Sequence, residues 1–218
     1  MRVFPPITKA VIILSLFIPL LSHLFPNLSQ YFYFDKDLPI RTFPSRLITG
    51  IFFTPIDFRL FLNAVTRYKI LYFIEIERTN LQHLPQIELF FFLSTLPISL
   101  YFSNCVSKLH TFNRCINLSL ITYLSSFVKP FDIIKLFGWN VSPEMFPFCY
   151  AVYEMALADG NPTCVYGLIH GGVYIYLRRN ILDIPKWFIW CYENTFGFLY
   201  KRKRKGRRYA PKIRYHNI

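Results

Sequence analysis

A histidine inside an apolar stretch is the first residue of this sequence that could do chemistry. His170 lies between Gly167 and Gly171, and an ionisable side chain in a membrane-type segment is a functional candidate because its burial is costly. A histidine that activates a nucleophile needs a serine or cysteine beside it and backbone N–H groups that stabilise an oxyanion. Serines lie in or near the fourth apolar stretch, without glycines that would shape such a site: Ser119, Ser125 and Ser126.

Intramembrane serine proteases of the rhomboid class provide a stricter comparison. They carry G-x-S-G in the fourth span, and that motif is absent here. Their histidine lies three residues before the first glycine of the sixth-span motif, which is the position of Cys164 in this sequence. His170 lies on a different face of the helix. We therefore expect no catalytic residue and no enzymatic activity.

The remaining histidines and cysteines form no metal-binding or cofactor-binding pattern. The histidines are scattered, and the sequence contains no H-E-x-x-H, paired cysteines, P-loop or G-x-G-x-x-G. We therefore expect no metal site and no cofactor. Cys105 and Cys115 flank one polar link, where they either pair or remain two free thiols.

The composition is that of a membrane protein. Of the 218 residues 53% are apolar and 17% are charged, against roughly 25% charged residues in an average soluble domain. Such a chain cannot avoid collapse, which excludes disorder. Five cysteines without a C-x-x-C pair exclude a disulfide-rich secreted module.

The positive charge is concentrated at the C-terminus. The net charge is +13, and the segment 196–218 contains nine basic residues and no acidic ones. A basic run indicates nucleic-acid binding, a nuclear signal or a juxtamembrane segment that faces anionic lipid. After an apolar body the juxtamembrane interpretation is favoured, with the tail 201–218 in the cytosol. Its first basic residues are Lys201, Arg202, Lys203, Arg204, Lys205, Arg207 and Arg208.

Six apolar segments predict an all-α membrane protein with six spans, at 7–25, 56–74, 84–104, 115–128, 146–158 and 163–177. Six spans leave both termini on the cytosolic side. Residues 26–55 are rich in aromatic residues and predict a lumenal loop that lies partly in the membrane; residues 129–145 are predicted as an amphipathic loop. The domain organisation is a membrane domain over 1–180, an interfacial helix at 181–200 and the basic tail. The link between the third and fourth spans, predicted as lumenal, contains Lys108 and Arg114. This counts against the topology, because basic residues concentrate on the cytosolic side.

Two features of the spans bear on function. Fifteen helical residues reach about 22 Å, against a hydrocarbon core of about 30 Å, so that short spans would thin the bilayer locally. Gly167 and Gly171 form a G-x-x-x-G motif, which favours close helix packing within the bundle or self-association.

In their order and spacing several motifs resemble the derlin family, the protease-inactive relatives of rhomboids. Pro5–Lys9 is similar to P-x-[IV]-T-[KR], and Ser45–Thr49 is similar to W-R-x-[IL]-T with Ser45 in place of the tryptophan and Arg46 kept. Gly167–Leu177 resembles G-x-x-x-G-H-x-Y-[FY]-[FY]-L, with Gly172 where the histidine usually stands. Two shorter matches are Tyr72–Glu75 and Lys135–Gly138. Together the motifs cover about residues 4–180.

The resemblance implies a rhomboid-like helix bundle in the endoplasmic reticulum membrane that helps to retrotranslocate misfolded proteins to the cytosol for degradation. Bilayer thinning and a polar intramembrane cavity would ease the passage of client chains. The implied partners are a membrane ubiquitin-ligase complex, misfolded clients and other copies of this chain or of a relative, with Ser45 and Arg46 in the client-handling loop. An AAA ATPase is a further partner, although the sequence lacks its binding box. An active intramembrane protease and a small transporter or channel are the alternatives.

Overall fold

The computed structural model describes residues 5–27, 32, 43–54, 56–77, 85–107, 113–128, 134–136, 139–157, 164–181 and 183–204. These residues form eight helices and one two-stranded hairpin, so the all-α class is confirmed in its coarse form. The helices are α1 Pro6–Leu24, α2 Phe43–Phe52, α3 Phe58–Glu77, α4 Pro85–Ser107, α5 Asn113–Ser125, α6 Phe146–Leu157, α7 Val165–Asn180 and α8 Lys186–Arg204.

The chain divides into two compact units, Met1–Asp183 and Ile184–Ile218. The first unit contains α1 to α7 and the hairpin, and the second contains α8. α8 extends beyond the interfacial helix predicted at 181–200 and includes the first four residues of the predicted tail.

The short helix α5 lies at the centre of the first unit. It packs against α2, α3, α6 and α7, and its most extensive contact is with α7. Every residue from Cys115 to Tyr123 is buried, so α5 has no face left for solvent or lipid. A helix that is covered on all sides sets the positions of its neighbours.

Two glycines allow α7 to approach α5 closely. A Cβ atom at Gly167 would overlap the backbone carbonyl of Cys115, and one at Gly171 would lie 2.6 Å from the Cβ of Thr122. Gly167 therefore faces Cys115, and Gly171 faces Thr122. Because the later glycine meets the later residue of α5, the two helices run parallel at this contact. The small residues let the backbones meet as G-x-x-x-G helices do.

Polar contacts give the directions of two other helix pairs. Thr8 bonds to Glu75 and Ser15 bonds to Arg67, so α1 and α3 are antiparallel. Likewise Glu88 bonds to Arg178 and Thr95 contacts His170, so α4 and α7 are antiparallel.

The start of α1 is capped by a side chain from a different helix. The Glu75 carboxylate accepts from the backbone N–H of Ile7 at 3.2 Å and from the N–H and hydroxyl of Thr8, each at 2.8 Å. The first N–H groups of a helix have no partner within it, and an anion there also interacts favourably with the helix dipole. Glu75 therefore fixes the start of α1 against the end of α3.

The first unit buries polar side chains and exposes large apolar ones. Arg67, Glu75, Glu88, Asn117 and His170 are buried. Exposed apolar side chains occur on α1, α3, α6 and α7, among them Phe17, Leu20, Phe61, Val152, Ile169 and Val173. Because soluble proteins seldom combine buried charge with such broad apolar exposure, this distribution is the informative feature of the fold.

By length and composition, α1 is the one helix of the described residues that is long and apolar enough to cross a bilayer. A shorter apolar stretch, Gln86–Ser99, lies within α4. Helices α5, α6 and α7 have 13, 12 and 16 residues, and α3 carries five charged residues. The six-span arrangement predicted from the sequence therefore stays a prediction.

Two connecting segments are more ordered than the sequence indicates. Residues 129–145, predicted as a loop, contain strands β1 Ile134–Leu136 and β2 Trp139–Val141, which pair antiparallel. The aromatic segment 26–55 contains α2. Phe52 and Phe53, at the end of this aromatic segment, are buried because α2 packs against α1, α4 and α5.

Candidate functional site

The candidate site is the set of polar side chains that α5 holds in the interior. Asn113 and Asn117 are four residues apart and lie on one face of α5, towards α3, whereas Ser119 lies on the opposite face, towards α7. The Thr122 hydroxyl is also buried and donates to the Leu118 carbonyl at 2.8 Å. The central helix therefore carries two polar faces, each with its own partner.

Arg67 is the partner of the asparagine face, and its side chain is 1% exposed. Its Nε donates to Asn117 Oδ1 at 2.6 Å, Nη1 donates to Ser15 Oγ at 2.8 Å, and Nη2 donates to the Asn113 carbonyl at 2.7 Å and to Asn113 Oδ1. Asn117 also donates from Nδ2 to Asn63 Oδ1 at 2.8 Å. The guanidinium therefore links α1, α3 and α5.

The acceptors around Arg67 are neutral. In the described part of the chain no carboxylate forms a salt bridge with it. Arginine stays protonated in proteins, so a full positive charge is buried here and stabilised by side-chain and backbone oxygens. This arrangement is costly to build, and it is correspondingly sensitive to the loss of any of its members.

His170 is the partner of the opposite face of α5. Thr95 Oγ1 donates to the Phe92 carbonyl at 2.8 Å, so it accepts from His170 Nε2 at 3.2 Å. The proton of the neutral imidazole therefore lies on Nε2, and Nδ1 accepts from the Ser119 hydroxyl at 2.5 Å. The Phe92 ring also packs on the imidazole, with the ring centroids 4.9 Å apart.

Ser119 and His170 thus form a hydroxyl–imidazole pair, which sequence reasoning did not bring together. An active serine requires access to a substrate carbonyl and backbone donors for the oxyanion. Ser119 is 0% exposed, and His170 Nε2 is occupied by Thr95. In this arrangement the pair joins α4, α5 and α7.

A second polar contact joins the beginning of α4 to the end of α7. Arg178 Nε donates to Glu88 Oε1 at 2.8 Å and Nη2 donates to Oε2 at 3.1 Å, while the Tyr174 hydroxyl donates to Oε1 at 3.1 Å. This is the bidentate geometry of a strong arginine–carboxylate pair. Arg178 Nη1 also contacts the exposed Asp183 at 3.2 Å. The sequence showed Arg178 at the end of the sixth segment but did not indicate Glu88 as its partner.

The residues predicted for client handling lie on α2. Ser45 and Arg46 belong to this helix, and Arg46 is half-buried. The Arg46 carbonyl accepts from the Thr49 hydroxyl at 3.2 Å. The side chain of Ser45 lies outside the described residues.

The other predicted residues lie at three places. Gly167 and Gly171 lie at the α5–α7 contact, within reach of the Ser119–His170 pair. Cys115 is buried and forms no disulfide bond, so the alternative of a pair with Cys105 is excluded. In the basic run, Lys201, Arg202, Lys203 and Arg204 are the last residues of α8, whereas Lys205, Arg207 and Arg208 lie outside the described residues.

Some residues of the site could be recognised from the sequence alone. His170 was recognised in the sequence as an ionisable residue in an apolar segment. The same signal could have found Arg67, which lies in the second apolar segment, whereas the asparagines of α5 were not recognised. Their partners could not be recognised, because each bond depends on the register between two helices. Comparison of the sequence with protein-family models and with curated proteins finds no match in either case.

Proposed function

We propose that the protein is a rhomboid-like, protease-inactive membrane protein of the derlin type, which helps to move misfolded proteins from the endoplasmic reticulum to the cytosol. The motifs that resemble the derlin family carry the biological part of this proposal. The structural observation that carries it is the central helix α5, which is short, buried on all sides and polar on two faces.

The distribution of side chains supports a bilayer as the solvent of the first unit. Phe17 and Leu20 of α1 and Ile169 and Val173 of α7 are exposed, as lipid-facing side chains would be. Polar groups inside a membrane protein face the bundle interior and bond to one another, as Arg67 and its partners do. The same six segments would cross the membrane, with α2 in the first lumenal loop.

The lengths of the helices support local thinning of the bilayer. Helices α5 and α6, with 13 and 12 residues, reach about 20 Å and about 18 Å, against about 30 Å for the hydrocarbon core. A shorter hydrophobic path lowers the free energy needed to carry a polar chain across. A charged residue at the bilayer centre costs about 2.5–3.5 kcal/mol even on insertion scales, so modest thinning would change transit rates considerably.

A cellular turnover experiment tests the proposal. The chain is expressed in cells that lack their own derlins, and the half-life of a misfolded lumenal reporter is followed by pulse-chase. We expect the reporter to be degraded faster than in cells with an empty vector, while a lumenal reporter that folds normally keeps its half-life. Unchanged degradation by a protein that is inserted and present in the endoplasmic reticulum would refute the function.

The proposed partners can be tested in the same cells. A membrane ubiquitin-ligase complex and, through it, the AAA ATPase should co-purify from mild detergent. The basic C-terminal residues lack the ATPase-binding box, so we expect recovery of the ATPase to depend on the ligase.

An intramembrane serine hydrolase is the second candidate, favoured by one observation. Ser119 Oγ lies 2.5 Å from His170 Nδ1, which is the distance of a nucleophile from its general base. The burial of Ser119 and the missing glycines around it place this candidate second. Covalent labelling of Ser119 by a fluorophosphonate would reverse the order.

A further inference from the structure

We propose that α8 is an interfacial helix that binds anionic phospholipid, with Trp187 and Trp190 inserted among the headgroups and the basic C-terminal residues on the phosphates. This inference concerns the second unit. It does not depend on retrotranslocation, because it would hold for any membrane-bound role of the first unit.

Burial differs between two sides of the segment that contains α8. Ile184, Phe188 and Tyr192 are buried and follow one another at four-residue spacing. Trp187 and Trp190 are 65% and 66% exposed. Two large indole rings that remain exposed on one helix are unusual, and tryptophan is the residue most enriched at the headgroup level of membranes.

Two of the basic residues at the end of α8, Lys201 and Arg204, have backbone positions on the same side of the helix as the exposed tryptophans. Lys201 follows Trp190 by 11 residues, which is about three turns, and Arg204 follows it by 14, which is about four turns. The backbone positions of these residues therefore form one row along α8. From Trp187 to Lys201 the row extends over about 21 Å.

The charge of the helix complements an anionic surface. Within Lys186–Arg204 there are five basic residues and one acidic residue, Glu193, and no acidic residue follows it up to Ile218. Each basic residue near an anionic bilayer contributes about 1 kcal/mol of attraction. α8 is not among the helices of the described residues that are apolar enough to cross a membrane. A helix with these properties lies along the surface rather than through it.

Nucleic acid is the other polyanion that a basic helix with exposed aromatic rings could bind. The lipid surface is favoured because the exposed aromatic residues of α8 are tryptophans, which are enriched at the headgroup level of membranes, and because the chain has the apolar composition of a membrane protein.

Tryptophan quenching in nanodiscs tests the inference with the full chain. Trp139→Phe leaves Trp187 and Trp190 as the reporters. Discs are made of phosphatidylcholine alone or with phosphatidylserine, each with brominated acyl chains that quench nearby indoles. We expect stronger quenching with phosphatidylserine, and we expect high salt to reverse the increase.

Charge variants identify the residues involved. Lys201→Gln with Arg204→Gln should lower the docking constant of α8 on the anionic disc roughly 30-fold, which corresponds to about 1 kcal/mol for each lost charge. The matched control, Arg59→Gln with Arg179→Gln, removes the same charge from exposed positions on α3 and α7 and should leave quenching unchanged.

Three results would overturn the proposal. The first is equal quenching in neutral and anionic discs. The second is a loss of quenching in the control variant that equals the loss in Lys201→Gln with Arg204→Gln. The third is tight binding of a labelled single-stranded RNA to the protein in neutral discs, with competition by the RNA for the quenching. That result would assign α8 to nucleic acid instead.

Discussion

The hydroxyl of Ser119 donates to Nδ1 of His170 at 2.5 Å, at the contact where α5 and α7 run side by side. Both side chains are buried, and Thr95 occupies the other nitrogen of the imidazole. The pair has the residue types of a catalytic dyad, and its contacts also join α4, α5 and α7. The following predictions separate these two roles.

Ser119→Ala should destabilise the protein and abolish no reaction. The substitution removes the hydroxyl that bonds to His170 Nδ1, and an unsatisfied buried polar group costs about 1–3 kcal/mol. Thermal unfolding in detergent measures the loss, and a fluorophosphonate probe measures reactivity. Ser142→Ala, at an exposed serine, is the control and should retain wild-type stability. Cleavage of a transmembrane substrate by the wild type, but not by Ser119→Ala or His170→Ala, would disprove the structural role.

Gly167→Ala and Gly171→Ala should destabilise the α5–α7 contact, whereas Gly172→Ala should not. The added methyl group would meet the Cys115 carbonyl or the Thr122 side chain in the first two variants, and no atom lies within 4 Å in the third. Overpacking costs about 1–3 kcal/mol, while alanine at an open helical position gains about 0.5–1 kcal/mol over glycine. Equal melting temperatures for the three variants would contradict the close approach of the helices.

Arg67→Met should lower stability by several kcal/mol. It leaves Ser15, Asn113 and Asn117 without the guanidinium to which they bond, and each such loss costs about 1–3 kcal/mol. Arg59→Met is the matched control on the same helix, because Arg59 is exposed and surface substitutions stay within about 0.5 kcal/mol. Denaturation in detergent compares the two. A small effect at Arg67 would show that the network contributes little to stability.

Arg46→Ala should slow turnover of a misfolded lumenal reporter without destabilising the protein. If α2 lies in the proposed membrane-embedded loop, the Arg46 guanidinium would bond to interfacial carbonyls or phosphates and set the depth of the helix. Pulse-chase at equal protein level measures the reporter half-life, with Arg59→Ala as the control. Equal half-lives for wild type and Arg46→Ala would remove Arg46 from the client-handling region.

Residues 201–218 should be digested by protease added to sealed microsomes. The proposed six spans, together with the positive-inside preference, would place the C-terminus in the cytosol. An antibody to a C-terminal epitope measures the loss, and an epitope in the lumenal segment 26–55 should remain protected until detergent is added. A protected C-terminus would exclude the six-span topology.

The sequence by itself determined where the main helices lie. The fifth apolar segment, predicted at 146–158, is Phe146–Leu157 in the structure, and the second, predicted at 56–74, is Phe58–Glu77. Long apolar runs between polar links form helices whatever their neighbours are, because their backbone bonds are local. The basic C-terminal run and the small residues Gly167 and Gly171 were likewise visible in the sequence.

Only the tertiary structure decided which side chains meet. Ser119 and His170 are 51 residues apart in the chain, and Glu88 and Arg178 are 90 apart. A shift of one residue in the register of α7 against α4 and α5 would rotate the side chains of α7 by about 100° and break both bonds. The helix α2 within an aromatic loop, and the burial of Phe52 and Phe53, also depend on packing against α1, α4 and α5. Local pattern determines helices because their hydrogen bonds are local, whereas a site made of bonds between helices exists only once their register is set.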